Sequence, residues 1–409
     1  MALGMGRRRI LILLPNLSGG GAERTAVTLL QGIDRSKFDI RLGLLKAEGH
    51  YLKDVDPDDL ELPIVKRPDS WLHSAPGDSL NAPTFSRLIP RLIRLPLSIY
   101  QLSELISRVK PDVLVSFMTA FNAMTGLALK LSGQTQTYWV AREGNNIETV
   151  FKNTFSSRFM TEVVRRMSRR AHVAADCSLA ISNGLAESMI ELLCLPPAAV
   201  RVIYNPCNLQ RIQQQSRQTN DAAQYGRYII AVGRLEKQKG FEILLNAYAR
   251  DIASTGVQLV ILGEGTHRQD LEALAVKLDI SKLVHLPGFV ENPWAYIAQA
   301  DLFVLSSLWE GFGHVVIEAM ACRTPVVVTD CDFGPSEIVQ HEETGLVVPT
   351  GNAAALSRAM ISLLNDPDKA GRLAANGFRR AQDFEMTRIL KAYEEMFSEA
   401  GERPARPAA

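Results

Sequence analysis

Two short, continuous apolar runs, Ile10–Leu14 and Tyr228–Val232, each open one half of this 409-residue chain. Each runs into a glycine-bearing turn and then a helical pattern, over Thr25–Gly32 and Phe241–Ala249 respectively. A strand with one wet face alternates apolar and polar residues, whereas a continuous run is buried on both faces, as in a parallel sheet covered by helices. The first half offers further strands at Ile40–Leu45, Val113–Phe117, Tyr138–Ala141, Leu179–Ile181 and Val200–Ile203. The second offers Val257–Leu262, Val284–Leu286, Leu302–Leu305, Val326–Thr329 and Gly345–Val348. Amphipathic stretches such as Arg268–Leu278 and Ala353–Leu364 lie between them. Alternation of this kind predicts an α/β fold of βαβ units in two Rossmann-like, doubly wound sheets, since one sheet of more than about ten strands is unusual. The polar stretch Gln210–Gln224 lacks an apolar period and places the boundary within 205–226.

Several classes are excluded. No apolar run exceeds six residues, far short of the ~18–20 that span a bilayer. Arg7–Arg9 before Ile10–Leu14 imitates a signal peptide, but the apolar part is too short and a Gly-rich turn follows it, so a cytoplasmic location is expected. The five cysteines, Cys177, Cys194, Cys207, Cys322 and Cys331, include no Cys-x-x-Cys pair and read as reduced thiols. Without His-Glu-x-x-His or histidines at ligand spacing, neither metal nor cofactor is expected. Asp330-Cys331-Asp332 reads as turn chemistry, and Gly334–Ile338 as a helix start.

Charge is uneven. Residues 1–210 carry 25 Lys and Arg against 19 Asp and Glu, a net +6, and residues 211–409 carry 20 against 25, a net −5. A basic first half suits an anionic partner. Residues 84–111 set Arg87, Arg91 and Arg94 at helical spacing among Leu and Ile. Residues 152–170 add Lys152, Arg158, Arg165, Arg166, Arg169 and Arg170. Both segments read as membrane-surface contacts, or as helices packed on the sheet. Pro90 and Pro96 predict that the first helix is short or kinked. Aromatic interleaving is missing, which disfavours nucleic acid.

Ligands of open α/β sheets bind at the carboxyl ends of strands. Gly19-Gly20-Gly21 occupies one such turn, where glycines admit an anion near a helix start or simply make a tight turn. Neither this triplet nor Gly263-x-Gly265 completes a dinucleotide fingerprint, which disfavours nicotinamide and flavin chemistry. Arg234 and Lys239, five residues apart after Tyr228–Val232, form either a diphosphate clamp or a solvated charged turn. Glu310 lies in Glu-Gly-Phe-Gly, and Glu318 is the only charged residue between it and Arg323. An isolated carboxylate in an apolar helix calls for a specific partner: a sugar hydroxyl, a cap or an internal ion pair.

Together, Glu310-x7-Glu318 and Gly233-Arg234-x4-Lys239-Gly240 resemble the signature of family 4 retaining glycosyltransferases. Gly263-Glu264-Gly265, Pro287-Gly288-Phe289 and Glu343–Pro349 support the likeness. Gly19–Arg24, reading GGGAER, is similar to the subset that builds bacterial polysaccharides and lipid-linked oligosaccharides. The resemblance implies two Rossmann-like domains facing a central cleft (GT-B type): an acceptor-side domain over 1–205 and a nucleotide-sugar domain over 206–380. A helix over 381–400 would return to the first domain, ahead of a disordered tail at 401–409. It further implies that Arg234 and Lys239 hold the donor diphosphate and stabilise the leaving nucleotide without a metal. Glu318 would bind ribose and Glu310 the transferred sugar. Backbone groups of Gly311, Phe312, Gly313, His314 and Val315 would touch sugar and phosphate, and Val290 the base. Gly20 and Gly21 would approach the diphosphate. Many relatives place a histidine near the reacting carbon, but Tyr138–Val140 runs into Ala141–Asn146 without one. Glu23, Arg142, Glu143 and Asn145 are the acceptor-side candidates. A uridine-linked hexose or N-acetylhexosamine passing to a saccharide or lipid-linked saccharide is the expected reaction. A nucleotide-sugar 2-epimerase and a non-catalytic glycan- or lipid-binding protein are the alternatives.

Overall fold

The computed structural model describes residues 7–18, 20–63, 84–145, 147 and 158–400, with side chains outside 84–94 and 158–160. Gly19, Asn146, Lys152 and the 401–409 tail lie outside the described residues, as do the side chains of Arg87, Arg91, Arg94 and Arg158.

Two compact units divide the chain. The first comprises residues up to 180, 188–203 and from 390 onward; the second comprises 181–187 and 204–389. The first has strands β1 (Arg8–Leu14), β2 (Phe38–Leu44), β3 (Leu60–Glu61), β4 (Val113–Phe117), β5 (Tyr138–Arg142), β6 (Cys177–Ala180) and β7 (Val200–Val202). Among the described residues these form one parallel sheet in the order β3-β2-β1-β4-β5-β6-β7. Helices α1 (Gly21–Gly32), α2 (Thr84–Val109), α3 (Thr119–Ser132) and α4 (Arg158–Ala174) connect them, and α5 (Asn183–Leu193) leaves β6. Ile10–Leu14 are all 0 % exposed, as a continuous apolar strand covered on both faces must be.

Two differences from expectation stand in this half. Leu60–Glu61 adds an edge strand of two residues, too short to carry a pattern. The segment with Pro90 and Pro96 forms a single 26-residue helix, not a short one. A proline removes one N–H, and the helix is held further on by Leu102, Leu105 and Ile106, all 0 % exposed in the core with Leu11, Leu13 and Trp139.

In the second unit a short helix α6 (Leu209–Gln215) occupies part of the stretch read as linker, because Leu209 and Ile212 are buried. Then follow β8 (Tyr228–Val232), α7 (Phe241–Asp251), β9 (Gln258–Leu262), α8 (Arg268–Lys277), β10 (Val284–Gly288), α9 (Pro293–Ile297), β11 (Leu302–Leu305) and α10 (His314–Ala321). Strand β12 (Val326–Asp330), α11 (Pro335–Ile338), β13 (Leu346–Pro349), α12 (Ala353–Leu364) and α13 (Pro367–Ala381) complete it. The sheet order is β10-β9-β8-β11-β12-β13, with every pairing parallel. Strand β8 sits where the order reverses. The last helix, α14 (Met386–Glu399), belongs to the first unit from Leu390 onward: Phe397 meets Phe38 edge-on at 5.9 Å, and Tyr393 Oη accepts a hydrogen bond from Arg142 Nε at 3.1 Å.

Candidate active site

In an open α/β sheet the two strands flanking the reversal of order leave a crevice between their carboxyl-end turns. In the second unit these strands are β8 and β11, and the turns after them are 233–240 and 306–313. The charged motif residues read from sequence stand on these two turns and on the helix that follows the second.

The turns are stitched together by backbone and side chain. Leu308 N donates to Gln238 O at 2.8 Å, Gln238 Nε2 donates to Trp309 O at 2.9 Å, and Ser306 Oγ donates to Lys239 O at 2.8 Å. Gly240 closes the first turn with φ +60; a Cβ there would lie 2.2 Å from Ser306 O, so only glycine permits this approach. Lys239 also lies over Gly233, where a Cβ would come 3.2 Å from its Cε.

Between the stitched turns, Lys239 Nζ donates to Glu310 Oε1 at 2.5 Å, with side chains 15 % and 8 % exposed. Ser307 Oγ, fully buried, donates to the same oxygen at 2.6 Å. Ser307 is held in turn by Thr329, whose hydroxyl donates to Ser307 O at 2.6 Å. The local field is low in water: burial, with the Glu310 charge nearby, pushes the Cys331 thiol up to about 12. The buried carboxylate is therefore held by one cation and one hydroxyl, an arrangement able to meet a sugar on one side and an anion on the other.

Glu318 lies inside α10, 4 % exposed, one turn after His314, whose Nε2 is 3.8 Å from its carboxylate. Glu310 precedes the helix, so the eight-residue spacing runs from turn to helix. Phe312 turns inward, stacking on Tyr204 at 5.3 Å and meeting Phe384 at 5.6 Å, which leaves only its backbone for a ligand. Gly311 O accepts from Ser182 Oγ at 3.3 Å, while His314 and Val315 are half-buried at the start of α10. Arg234 is exposed on the β8 turn, and Val290 is half-buried two residues past β10. Gly263, at the end of β9, has φ +139 and would place a Cβ 1.9 Å from Gly233 O, so the Gly-Glu-Gly motif backs the β8 turn.

In the first unit, Gly20 caps α1, Gly21 is its first residue, and the buried Glu23 carboxylate folds back over Gly20. Arg142 and Glu143, two of the acceptor-side candidates, turn inward at the end of β5. Each is 1 % exposed and spent inside the unit. The Arg142 guanidinium lies over Phe117 at 4.6 Å, and Glu143 accepts from Thr119 Oγ1 at 2.8 Å and Asn122 Nδ2 at 2.9 Å. A strand-end position exposes a backbone, not necessarily its side chains. Asn145, two residues on, is exposed. Glu337 does not serve its own helix start: it accepts from the Asn183 and Gly184 N–H groups at 2.8 and 2.7 Å, capping α5. Among the described residues, no group of three or more His, Cys, Asp or Glu is arranged to hold a metal ion.

Fold and site define a class. The family model for glycosyl transferases group 1 matches residues 212–380, and that for Glycosyltransferase Family 4 matches 19–211. The chain is a glycosyltransferase of the GT-B, family 4 type. Among curated relatives it is similar to the N-acetylgalactosamine-N,N'-diacetylbacillosaminyl-diphospho-undecaprenol 4-alpha-N-acetylgalactosaminyltransferase of Campylobacter jejuni, 28% identical over 93% of this chain and 96% of the relative. It is also similar to the lipopolysaccharide core biosynthesis glycosyltransferase LpsE of Rhizobium meliloti, 28% identical over 77% of this chain and 83% of that one. Among solved structures, Anabaena Alr3699/HepE in complex with UDP-glucose shares the fold, with TM-score 0.75 at 19% identity over 96% of this chain and 99% of that one.

Proposed function

We propose that the chain transfers a hexose or N-acetylhexosamine from a UDP-linked donor to a saccharide carried on a lipid diphosphate, with retention at the anomeric carbon and without a metal. The single observation that carries this reading is the Lys239–Glu310 pair on the stitched turns after β8 and β11. It sets a cation for the diphosphate against a carboxylate for the sugar, at the crevice where such sheets bind ligands. The GGGAER loop and the Campylobacter and Rhizobium relatives support an acceptor in lipid-linked or lipopolysaccharide assembly.

In this reading the bond from the sugar C1 to the β-phosphate oxygen breaks while an acceptor hydroxyl bonds to C1 from the same face. The hydroxyl proton passes to the departing phosphate oxygen, and Arg234 and Lys239 carry the charge that develops there. Glu310 and Glu318 orient sugar and ribose, Val290 lies by the base, and backbone groups of Gly311–Val315 hold sugar and phosphate. Gly20 and Gly21 offer backbone N–H groups at the start of α1, and Glu23 and Asn145 remain the acceptor-side candidates.

A lipid-borne acceptor asks for membrane contact, and α4 offers a face for it: Arg166, Met167, Arg169, Arg170 and Val173 are exposed. Part of its basic stretch is used locally, since Glu162 accepts from both Arg165 and Arg166 at 2.7 Å. Arg170→Glu with Val173→Glu should lower co-sedimentation with anionic vesicles several-fold and leave neutral vesicles unaffected. Equal binding of both proteins would remove α4 from the contact.

The testing experiment is calorimetric titration of UDP, GDP and ADP in EDTA, followed by UDP-N-acetylgalactosamine with a polyprenyl-diphosphate-linked N-acetylhexosamine. Selective UDP binding and an α-linked product support the reading. Silence toward all three nucleotides overturns it.

A further inference from the structure

The first unit has its own reversal of strand order, between β1 and β4. The rule that selects the Lys239 and Glu310 turns in the second unit therefore selects, here, the turns after Leu14 and Phe117. Met118 stands at the second of these with φ 76 and ψ 137. A side chain seldom takes that conformation, and keeps it only where the surroundings over-determine it.

The surroundings are a buried polar hub. Met118 N donates to Arg142 O at 3.2 Å, and Met118 O accepts from Asn122 N at 2.8 Å. Asn122 Nδ2 donates to Arg142 O at 3.0 Å and to Glu143 Oε1 at 2.9 Å, and its Oδ1 accepts from Ser116 Oγ at 2.7 Å. Glu143 Oε2 accepts from Thr119 Oγ1 at 2.8 Å, and His172 Nε2 lies 3.0 Å from Glu143 Oε1. His172 Nδ1 lies 2.9 Å from Ser178 Oγ. Asn122, Glu143 and His172 are all at most 1 % exposed. Thr119 and Asn122 form the first turn of α3, directly behind Met118, so two of the groups on the Glu143 carboxylate fix the backbone that follows the strained residue.

A carboxylate buried this fully is costly, and ordinary packing of a strand end does not call for one. We propose that Glu143 is a positioning residue: through Thr119, Asn122 and His172 it holds the Met118 turn in the strained form that the acceptor saccharide meets in the first unit. This rests on the glycosyl-transfer reading above. Glu143 itself touches no substrate, which accounts for its place near the acceptor side and its burial together.

The test compares Glu143→Gln, Thr119→Val, Met118→Gly and the Glu143→Gln/Met118→Gly double. Three readouts are taken: UDP affinity, the rate of UDP release from UDP-N-acetylgalactosamine with and without the polyprenyl-diphosphate-linked acceptor, and amide hydrogen exchange over residues 117–123. Glu143→Gln should leave UDP affinity within about twofold, raise exchange over 117–123, and cut UDP release about tenfold or more. Thr119→Val should do the same more weakly. Glycine adopts the Met118 conformation without help, so the double variant should recover most of the lost rate. Unchanged exchange in Glu143→Gln overturns the proposal, as does faster exchange with an unchanged rate or a double variant no better than Glu143→Gln. Loss of thermal stability alone is the signature of a purely structural carboxylate and counts against it too. Wild-type protein that binds no UDP would instead sink the donor-site reading, and the exchange arm would still judge the hub.

Discussion

Glu310 Oε1 accepts from both Lys239 Nζ and Ser307 Oγ, so the lysine is part of a buried pair and not a free turn charge. Removing one partner of such a pair leaves the other charge stranded, at a cost of about 3–5 kcal/mol where burial is complete and less where a hydroxyl remains. Lys239→Ala should therefore lower thermal stability measurably as well as weakening UDP at least about tenfold. Adding Glu310→Gln should return most of the stability and none of the transfer. Recovery of transfer in that double variant would show that Lys239 serves Glu310 alone. The residue types of this site were legible because Arg234, Lys239, Glu310 and Glu318 are charges at strand ends or in an apolar helix, where nothing local accounts for them. Gln238 was not, since its role comes from loops about seventy residues apart that meet only in the fold, and Ser307, three residues before the carboxylate it serves, reads as any loop serine. The same blindness made Arg142 and Glu143 look available: a charge after a strand reads alike whether its side chain turns out or in.

Elements followed from the sequence in proportion to the length of their apolar pattern. Strands such as Ile10–Leu14 and Tyr228–Val232 announce themselves because both faces are covered, and helix α12 ends where its amphipathic pattern does. Leu60–Glu61 has no room for a pattern, and α6 shows only Leu209 and Ile212 amid polar residues. Helix α2 passes Pro90 and Pro96 because tertiary packing of its later turns outweighs the loss of two N–H groups. The single 3-10 turn Lys237–Lys239 ends at Gly240, the one residue that joins the β8 turn to the start of α7. Gly240→Ala meets both a left-handed φ and the Ser306 carbonyl. It should cost at least about 2 kcal/mol and weaken UDP binding, because Lys239 must move with the turn. Thermal unfolding and calorimetry on the same preparation check this. Unaltered stability would show that the turn relaxes freely.

At the scale of the whole molecule, the chain does not divide at one point. Residues 181–187 are counted with the second unit, and everything from Leu390 onward with the first. Tyr393 and Phe397 are 0 % exposed and Met396 is 1 % exposed, while Arg8 Nη1 donates to the Ser398 carbonyl at 2.7 Å. Each large apolar side chain contributes roughly 1.5–3 kcal/mol by burial, and three or four of them rival the ~5–15 kcal/mol by which a native domain exceeds its unfolded state. A chain ending at Ile389 should lose hydrogen-exchange protection across 8–14 and 113–117 while 228–232 stays protected. Equal protection in both units would show that α14 is an ornament of the first. The placement of α14 also sets an order on biosynthesis. Domains emerging from a ribosome commonly finish in sequence, N-terminal first. Here the N-terminal unit waits for residues translated after the whole of the second unit, so the face that α14 covers stays open throughout that synthesis, and any chaperone of this enzyme has that interval in which to act.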